Sequence, residues 1–264
     1  ARVMAAVAEK LSLPLPHVVT WERAMQTPNW GAFGPEPVLL DVPSIALRQF
    51  EPGSVNANTG MASYEYVVRA IDACLQQRAQ GMVTGPIHKD ALHSAGVEYP
   101  GHTEILAERT QADRICMMLT SESITCSVVT AHVGLYEVPG LLNEQVVFDA
   151  IELSYEAMCR IRQRPARIVV CGLNPHAGEN GLFGRQEEEQ VIQPAIELAL
   201  SKGMKVTGPL PADTAFIPAI REQTDCYVCM YHDQGLIPLK ALSFDTAVNV
   251  TLGLPIIRTS VDHG

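Results

Sequence analysis

Three apolar segments of the chain are each followed by a histidine, and this repeated pattern constrains the fold more than any other feature. A continuous apolar run of five or six residues is typical of a strand buried on both faces of a sheet. Because ligands in open α/β sheets bind outside the carboxyl ends of the strands, we expect the histidines to mark a functional site. The segments and their histidines are residues 126–131 with His132, 168–173 with His176, and 226–230 with His232.

The rest of the chain alternates predicted strands with predicted helices. This order favours an α/β fold with a mostly parallel sheet covered by helices. No low-complexity linker and no internal repeat divides the sequence, so we treat residues 1–264 as one catalytic chain whose internal subdomain boundaries stay open. The predicted helices cover residues 2–11, 61–80, 143–163 and 187–201. Further strands are predicted at residues 17–21, 38–42, 115–119 and 204–207.

The composition is that of an ordinary globular enzyme. Hydrophobic residues make up 47% of the 264 residues and charged residues 18%, which excludes a largely disordered chain. The formal net charge of −10 argues against a partner that is nucleic acid. Neither an apolar run of about eighteen residues nor a signal peptide is found, so no membrane association is expected. Seven cysteines, scattered through apolar segments, predict a reduced, cytoplasmic protein.

Familiar nucleotide-binding and zinc-protease motifs are absent from the sequence. Residues 178–184 have the pattern G-x-x-G-x-x-G and not G-x-G-x-x-G, so a Rossmann dinucleotide site is not predicted. Neither a Walker A loop nor an H-E-x-x-H helix is present. A phosphorylated small substrate remains compatible with the acidic chain, because a local pocket can be cationic on an acidic protein.

The three histidines form a candidate metal site. They lie at strand exits, by which we mean the residues that follow the carboxyl end of a predicted strand. Neutral imidazole is a good ligand for a divalent metal, and three histidines with an open fourth position make a catalytic zinc arrangement. The ligands His132, His176 and His232 are distant in sequence, so only their shared position after a strand suggests that they converge. The alternative for each histidine is a hydrogen-bonded structural role, and the residues alone leave both readings open.

Several other side chains are suited to a small anionic substrate. Lys240 and Arg258 offer positive charge for a phosphate or carboxylate group. The alternative for Arg258 is an ion pair with Asp262 or Asp245. Thr103 opens a predicted helix, where it is either the N-cap or a substrate contact. The candidates for hydrogen bonding to the substrate are Asn249, His102 and Thr103.

Seven sequence blocks, in this order, resemble the PdxA-type 4-hydroxythreonine-4-phosphate dehydrogenase family of vitamin B6 biosynthesis. The resemblance runs from about residue 60 to the end of the chain and is specific to the family. The blocks are GPIHKDALHSAG, YPGHTE, TAHVGL, GLNPHAGENGLFG, GPLPADTAF, YHDQGLIPLK and VNVTLGLPIIRTSVDHG.

The resemblance implies a reaction and a fold. The reaction is the oxidation of 4-phosphohydroxy-L-threonine by NAD or NADP, followed by decarboxylation to 3-amino-2-oxopropyl phosphate. The fold is that of the isocitrate/isopropylmalate dehydrogenase-like α/β proteins, with two subdomains and the site in the cleft. Family members are homodimers whose active site takes residues from both subunits. Neither the choice between NAD and NADP nor the residues that contact the cofactor follow from the sequence.

The resemblance also implies roles for individual residues. A divalent ion would acidify the substrate alcohol and then polarise the new ketone; zinc is the default, with magnesium, manganese or cobalt as alternatives. Asp233 and Asp213 are candidate proton handlers or partners of the ligating histidines, and Lys240 is also a candidate catalytic group. The family's metal ligands match His132, His176 and His232. Its substrate-binding residues match His102, Thr103, Lys240, Asn249 and Arg258.

The sequence departs from the family pattern at both ends. It lacks the N-terminal strand with its G-D-P-x-G-I-G-P-E-type loop, and it stops at residue 264, where relatives continue. We therefore expect the chain to be truncated at both ends.

Three other functions compete with the dehydrogenase reading. One rival is a related dehydrogenase of 4-phospho-D-threonate or 4-phospho-D-erythronate. Another, of a different class, is a metal-dependent lyase or hydrolase that uses no nicotinamide. A third is a non-catalytic small-molecule binder.

Overall fold

The computed structural model describes residues 1–46 and 49–262, and they form two compact units. The last two residues of the final sequence block, His263 and Gly264, lie outside this described part. Within the described residues, the first unit comprises Ala1–Ala112 with Pro255–Ile257, and the second comprises Asp113–Leu254 with residues 258–262. Two subdomains were expected, and two units are found.

The first unit is mainly helical, with a small parallel sheet in which β1 pairs with β2. Helix α1 has the predicted bounds, but α3 begins earlier than predicted because the Asn56 side chain accepts a hydrogen bond from the backbone N–H of Thr59 at 3.0 Å and so starts the helix at Ala57. The elements are α1 (Arg2–Leu11), β1 (His17–Thr20), α2 (Trp21–Gln26), β2 (Val38–Asp41), α3 (Ala57–Leu75), β3 (Gly81–Thr84), α4 (Lys89–Ser94) and α5 (His102–Thr110).

Helices α3 and α4 approach each other very closely. A Cβ atom on Gly60 of α3 would lie 1.9 Å from the carbonyl oxygen of Ala91, so only glycine fits at this crossing. Helix α5 begins at His102, its N-cap is Gly101, and no side chain caps it. The N-cap reading of Thr103 is therefore wrong, because the helix already starts one residue before it.

The second unit contains a larger sheet, in which the strands follow the order β10-β9-β4-β5-β8-β6-β7. Its strands are β4 (Cys116–Thr120), β5 (Thr125–Thr130), β6 (Arg167–Cys171), β7 (Lys205–Leu210), β8 (Cys226–Tyr231), β9 (Val248–Leu252) and β10 (Ile257–Val261). Its helices are α6 (Val138–Leu141), α7 (Glu144–Arg162), α8 (Gln193–Ser201, preceded by a π-helical turn at Glu188–Ile192), α9 (Ala212–Ala215), α10 (Pro218–Arg221) and α11 (His232–Ser243).

The neighbours β5, β8, β6 and β7 are all parallel, whereas β4 and β10 run opposite to the other strands of this unit. The mixed α/β class with a mostly parallel sheet is thus confirmed. The strands and helices predicted for this unit are found with ends shifted by at most three residues, when the π-helical turn is counted with α8.

The strands at the centre of the sheet are buried on both faces, as the apolar runs predicted. Val170 and Val228 join a core formed with α7 and α8 on one face. Val169 and Tyr227 join a core formed with α11 on the other face, where Leu239 is fully buried. Among the described residues, no helix combines the length and the apolar character that crossing a lipid bilayer requires.

Asp225 carries a buried carboxylate at the amino ends of β6 and β8. The Arg164 guanidinium donates to its two oxygens at 2.8 and 2.7 Å, and the backbone N–H of Arg167 donates at 2.8 Å. Burial alone would raise the pKa of Asp225, but the hydrogen bonds and the positive charges of Arg164 and Arg167 outweigh burial and hold the pKa below its usual value of 3.8.

We expect Asp225→Asn to lower the free energy of unfolding by about 2 kcal/mol at neutral pH, because it weakens charge-assisted hydrogen bonds. Since the pKa of Asp225 is lower in the folded state, its contribution is complete above the pKa of the unfolded chain and is lost as the pH falls through the folded-state pKa. Urea unfolding at several pH values should therefore show the variant and the unaltered protein converging in acid.

The control is Asp149→Asn, which weakens the more exposed contact of Asp149 with Arg114 and should cost about 1 kcal/mol or less. A difference between Asp225→Asn and the unaltered protein that stays constant down to strongly acid pH would contradict the role of the ionised carboxylate.

Candidate active site

The three predicted histidines follow neighbouring strands of the second unit. Because β5, β8 and β6 are parallel and adjacent, their carboxyl ends meet at one edge of the sheet. His132 comes two residues after the end of β5, and His232 is the first residue of α11, directly after β8. His176 lies in a short 3-10 turn (Pro175–Gly178) after β6.

The structure brings His132 and His232 together. Their ring centroids lie 5.8 Å apart, and the ring planes are inclined by 43°. His232 Nδ1 lies 2.7 Å from Asp233 Oδ1, so an ionised Asp233 accepts a hydrogen bond from the Nδ1–H group. This contact orients the ring and leaves Nε2 of His232 as the nitrogen that can bind a metal. Asp233 therefore lies where a partner of a ligating histidine is needed.

His176 is not gathered with the other two histidines. Its side chain is about two thirds exposed, and its Nδ1 lies 2.9 Å from Glu179 Oε2. Within residues 1–46 and 49–262, no three His, Cys, Asp or Glu side chains are placed together as a metal-binding set. The donor chemistry nevertheless fits a divalent ion, because His176, like His232, has a carboxylate on Nδ1 and so presents Nε2.

Glu179 also sets the electrostatics of His176. The hydrogen bond to Glu179 raises the pKa of His176, and the negative charge of Glu179 and, more weakly, that of Asp213 on α9 raise it further. The structure thus connects Asp213 to the candidate site through the effect of its charge on the pKa of His176.

The loop that carries His176 is held by two buried glutamates. The backbone N–H of Asn174 donates to Glu188 Oε1 at 2.7 Å, and its Nδ2 donates to Glu188 Oε2 and Glu187 Oε2 at 2.9 Å each. His176 itself adopts a left-handed backbone conformation with φ 52°, which is uncommon for a residue other than glycine. In the sequence, these glutamates are simply the first residues of the helix predicted at residues 187–201. The adjacent glycine-rich loop at residues 178–184 is the sequence feature that could have indicated the burial of the two glutamates, because this loop has to pack against them.

Two of the predicted cationic groups have partners inside the protein. Lys240 Nζ on α11 lies 3.0 Å from Asp262 Oδ2. Arg258 on β10 is 5% exposed, and its Nη1 donates to Thr251 Oγ1 at 3.0 Å. Burial lowers the pKa of Arg258, because desolvation disfavours its charged form. Asp262, which the sequence offered as an ion-pair partner for Arg258, pairs with Lys240.

Asn249 presents a buried acceptor. It lies on β9, opposite Ser260 of β10 and Leu119 of β4. Its Oδ1 is buried and accepts no hydrogen bond from any described residue. A buried acceptor without a partner is unfavourable, so this atom is suited to a ligand that donates a hydrogen bond. The remaining two predicted substrate-binding residues, His102 and Thr103, are the first two residues of α5 in the first unit.

A family model described as "Pyridoxal phosphate biosynthetic protein PdxA" matches residues 2–264. The chain belongs to the PdxA family. The resemblance of the sequence blocks is confirmed by this match, which extends over the first unit as well as the second. The roles of the candidate site residues in this PdxA-family chain stay predictions.

Curated relatives of the PdxA-family chain carry two different names. The chain is 46% identical over 226 residues to a 4-hydroxythreonine-4-phosphate dehydrogenase from Geobacter metallireducens, covering 86% of this chain and 66% of the relative. It is 44% identical over 212 residues to a D-threonate 4-phosphate dehydrogenase from Cupriavidus necator, covering 80% of this chain and 64% of the relative. The chain thus spans about two thirds of the length of these relatives.

A solved structure shares the fold of the PdxA-family chain. The 4-hydroxythreonine-4-phosphate dehydrogenase from Klebsiella pneumoniae superposes with a TM-score of 0.84 at 37% identity, covering 96% of this chain and 75% of that structure. The expected dehydrogenase-like α/β architecture is confirmed by this likeness.

We expect Glu179→Gln to lower the pKa of His176 towards that of a free histidine, because the variant loses the negative charge that stabilises the imidazolium. An NMR titration of the ring protons measures this pKa. Asp213→Asn is the matched control: it also removes one carboxylate, but the decrease should be smaller because Asp213 acts on His176 only through its charge. An unchanged titration of His176 in Glu179→Gln would show that the contact does not form in solution.

Proposed function

We propose that the protein is a metal-dependent NAD(P) oxidoreductase that oxidises 4-phosphohydroxy-L-threonine and decarboxylates it to 3-amino-2-oxopropyl phosphate. Membership of the PdxA family and the name of the Geobacter metallireducens relative support the substrate and the reaction. The observation that carries the proposal is the contact of His132 with His232 at adjacent strand ends, because that edge of an α/β sheet is where ligands bind.

In this proposal, His132, His176 and His232 hold one divalent ion through imidazole nitrogens. Zinc suits a set of three imidazoles, and magnesium, manganese or cobalt would support the same chemistry. A bound ion of this kind acidifies the alcohol and polarises the ketone formed from it. Asp233 and Glu179 contribute by fixing the rings of His232 and His176, since each accepts a hydrogen bond from Nδ1.

The substrate is held by the protein's own charged and polar groups. Lys240 and Arg258 bind the phosphate and carboxylate ends, and the phosphate competes with Asp262 for the Lys240 ammonium group. Asn249 Oδ1 accepts a hydrogen bond from the substrate. Holding both ends in this way would orient the reacting C–H group, and NAD or NADP would supply the hydride acceptor.

Several further parts of the proposal come from the family pattern. His102 and Thr103 add substrate contacts, and the enzyme acts as a homodimer with an active site shared between subunits. Lys240, Asp233 and Asp213 are the groups proposed to handle protons, because each is titratable and lies on α11 or α9 after a strand of the second unit.

A second candidate substrate is 4-phospho-D-threonate, and the name of the Cupriavidus necator relative favours it. It would use the same metal and the same anion contacts, and 4-phospho-D-erythronate belongs to the same class. The relatives described above are all named as dehydrogenases.

We expect NAD⁺ or NADP⁺ to be reduced in the presence of 4-phosphohydroxy-L-threonine and a divalent metal, and EDTA to abolish the reaction. His232→Ala should lower kcat/KM about a thousand-fold or more, because stabilisation of charge by a metal is worth several kcal/mol. Absorbance of the reduced nicotinamide measures the rate.

The control for this variant is His93→Ala, which removes an exposed histidine of α4 and should leave kcat/KM unchanged. Turnover of 4-phospho-D-threonate alone would assign the second candidate substrate. Full activity in EDTA, or in His232→Ala, would refute the metal-dependent reaction.

Asn249→Ala is expected to raise KM for the substrate about tenfold, since one hydrogen bond to the ligand is lost, while the free energy of unfolding stays within about 1 kcal/mol. Steady-state kinetics and urea unfolding measure the two effects. The matched control is Asn143→Ala: its side chain caps α7 by accepting from the backbone N–H of Val146 at 3.0 Å, so stability should fall by about 1 kcal/mol with KM unchanged. The reverse pattern in the two variants would exclude Asn249 from the substrate site.

A further inference from the structure

The backbone of one buried residue, Met230, is hydrogen-bonded by two side chains that lead to different strand exits. Thr130 Oγ1 at the end of β5 donates to the carbonyl oxygen of Met230 at 2.8 Å. The N–H group of Met230 donates to Gln234 Oε1 at 2.6 Å, and Gln234 Nε2 donates to the carbonyl oxygen of Gly172 at 2.6 Å. We name these four residues, Thr130, Met230, Gln234 and Gly172, the exit bracket.

The exit bracket is buried, and all of these groups are uncharged. Thr130 and Gln234 are each 7% exposed, and Met230 is fully buried. Hydrogen bonds in such an environment are costly to break, because each buried group that loses its partner keeps its full desolvation penalty. The bracket therefore holds its geometry more firmly than an exposed contact would.

Gln234 bridges a place where two strands separate. The parallel pairing of β6 with β8 runs from Ile168 opposite Cys226 to Val170 opposite Val228. Beyond it, the N–H group of Gly172 turns to the carbonyl oxygen of Leu210 on the β7 side, at 2.8 Å. The side-chain amide of Gln234 supplies the link between the two strand exits at this point. The Gln234 side chain thus limits the distance between the ends of β6 and β8.

Each end of the exit bracket lies close in sequence to one of the three histidines. Thr130 is two residues before His132, and Met230 is two residues before His232. Gly172 is four residues before His176, and the segment between them folds back tightly: a Cβ atom on Gly172 would lie 2.8 Å from the Cα atom of Ala177. A shift of Gly172 is therefore passed on to the loop that carries His176.

We propose that Gln234 and Thr130 are positioning residues that set the spacing of the strand exits carrying His132, His176 and His232. This inference rests on the proposed function in that the three histidines are taken to bind one divalent ion. Neither Gln234 nor Thr130 acts as a ligand; each works through the backbone of Met230, and Gln234 also through that of Gly172.

The test compares Gln234→Leu and Thr130→Val with Thr125→Val. The control removes a hydroxyl from the same strand that is also buried (2% exposed) and also hydrogen-bonded, to Thr120 at 2.8 Å, but at the amino end of β5. Titration of the metal-free protein with Co²⁺, followed by its visible spectrum, measures affinity and ligand geometry. Thermal unfolding of the metal-free protein measures stability.

Gln234→Leu and Thr130→Val should each weaken Co²⁺ binding about 10–100-fold and change the Co²⁺ spectrum, as expected when groups that orient metal ligands are lost. Thr125→Val should lower Tm by a similar amount and leave Co²⁺ affinity and spectrum unchanged. If the first two variants bind Co²⁺ as tightly as the unaltered protein, or if Thr125→Val weakens binding equally, the proposal is overturned.

A second measurement does not depend on the metal. Hydrogen exchange of the metal-free protein should become faster in residues 172–184 and 230–234 of Gln234→Leu. Unchanged exchange in these residues would overturn the positioning role proposed for Gln234. Gln234→Glu, which keeps the acceptor for Met230 but loses the donor to Gly172, replaces the leucine variant if that one does not fold. Failure of the unaltered protein to bind Co²⁺ refutes the proposed three-histidine metal site, and the exchange result then decides the bracket alone.

Discussion

The hydrogen bonds to the backbone of Met230 depend on the parallel arrangement of the neighbouring strands β5, β8 and β6. Strands β5, β8 and β6 lie side by side and point the same way, so their exits face one edge. A parallel ladder holds strands together along their length but not beyond their ends. In this protein the side chains of Thr130 and Gln234 continue the connection where the ladder stops. Two features therefore determine where the candidate histidines lie. One is the parallel pairing of the strands, and the other is the hydrogen bonding by Thr130 and Gln234 beyond the strand ends.

The two edges of this sheet use charge in different ways. At the amino edge, the carboxylate of Asp225 is buried and held by arginines, which fixes its ionised state and ties β6 to β8. At the carboxyl edge, Asp233 and Glu179 are exposed and each contacts a single histidine ring. A buried, fully bonded carboxylate stabilises the fold, whereas an exposed one beside an imidazole leaves the second ring nitrogen available for chemistry.

The positions at which the strands end were predictable from sequence. Burial on both faces favours a continuous apolar run in a strand such as Cys226–Tyr231, so the end of the run indicates the end of the strand. The antiparallel direction of β4 and β10 was not predictable, since an apolar run carries no sign of strand direction. The position of His176 was also out of reach. Its left-handed backbone depends on a loop that Glu188 holds through Asn174, fourteen residues apart in sequence, and no local pattern encodes such a contact. Likewise, Thr103 has the residue type of an N-cap, but the helix starts earlier, at His102.

The two substrates suggested by the relatives differ at one substituent, which is an amino group in phosphohydroxythreonine and a hydroxyl group in phosphothreonate. The rest of the recognition, by Lys240, Arg258 and the histidines, would be the same for both, so overall identity to the two kinds of relative does not separate them: 46% and 44% are equivalent here. An ammonium group gains from a nearby carboxylate far more than a hydroxyl does. Discrimination between the two substrates would therefore depend on whether a carboxylate faces that substituent. In the second unit, Asp233 and Glu179 are carboxylates that lie beside candidate metal-binding histidines.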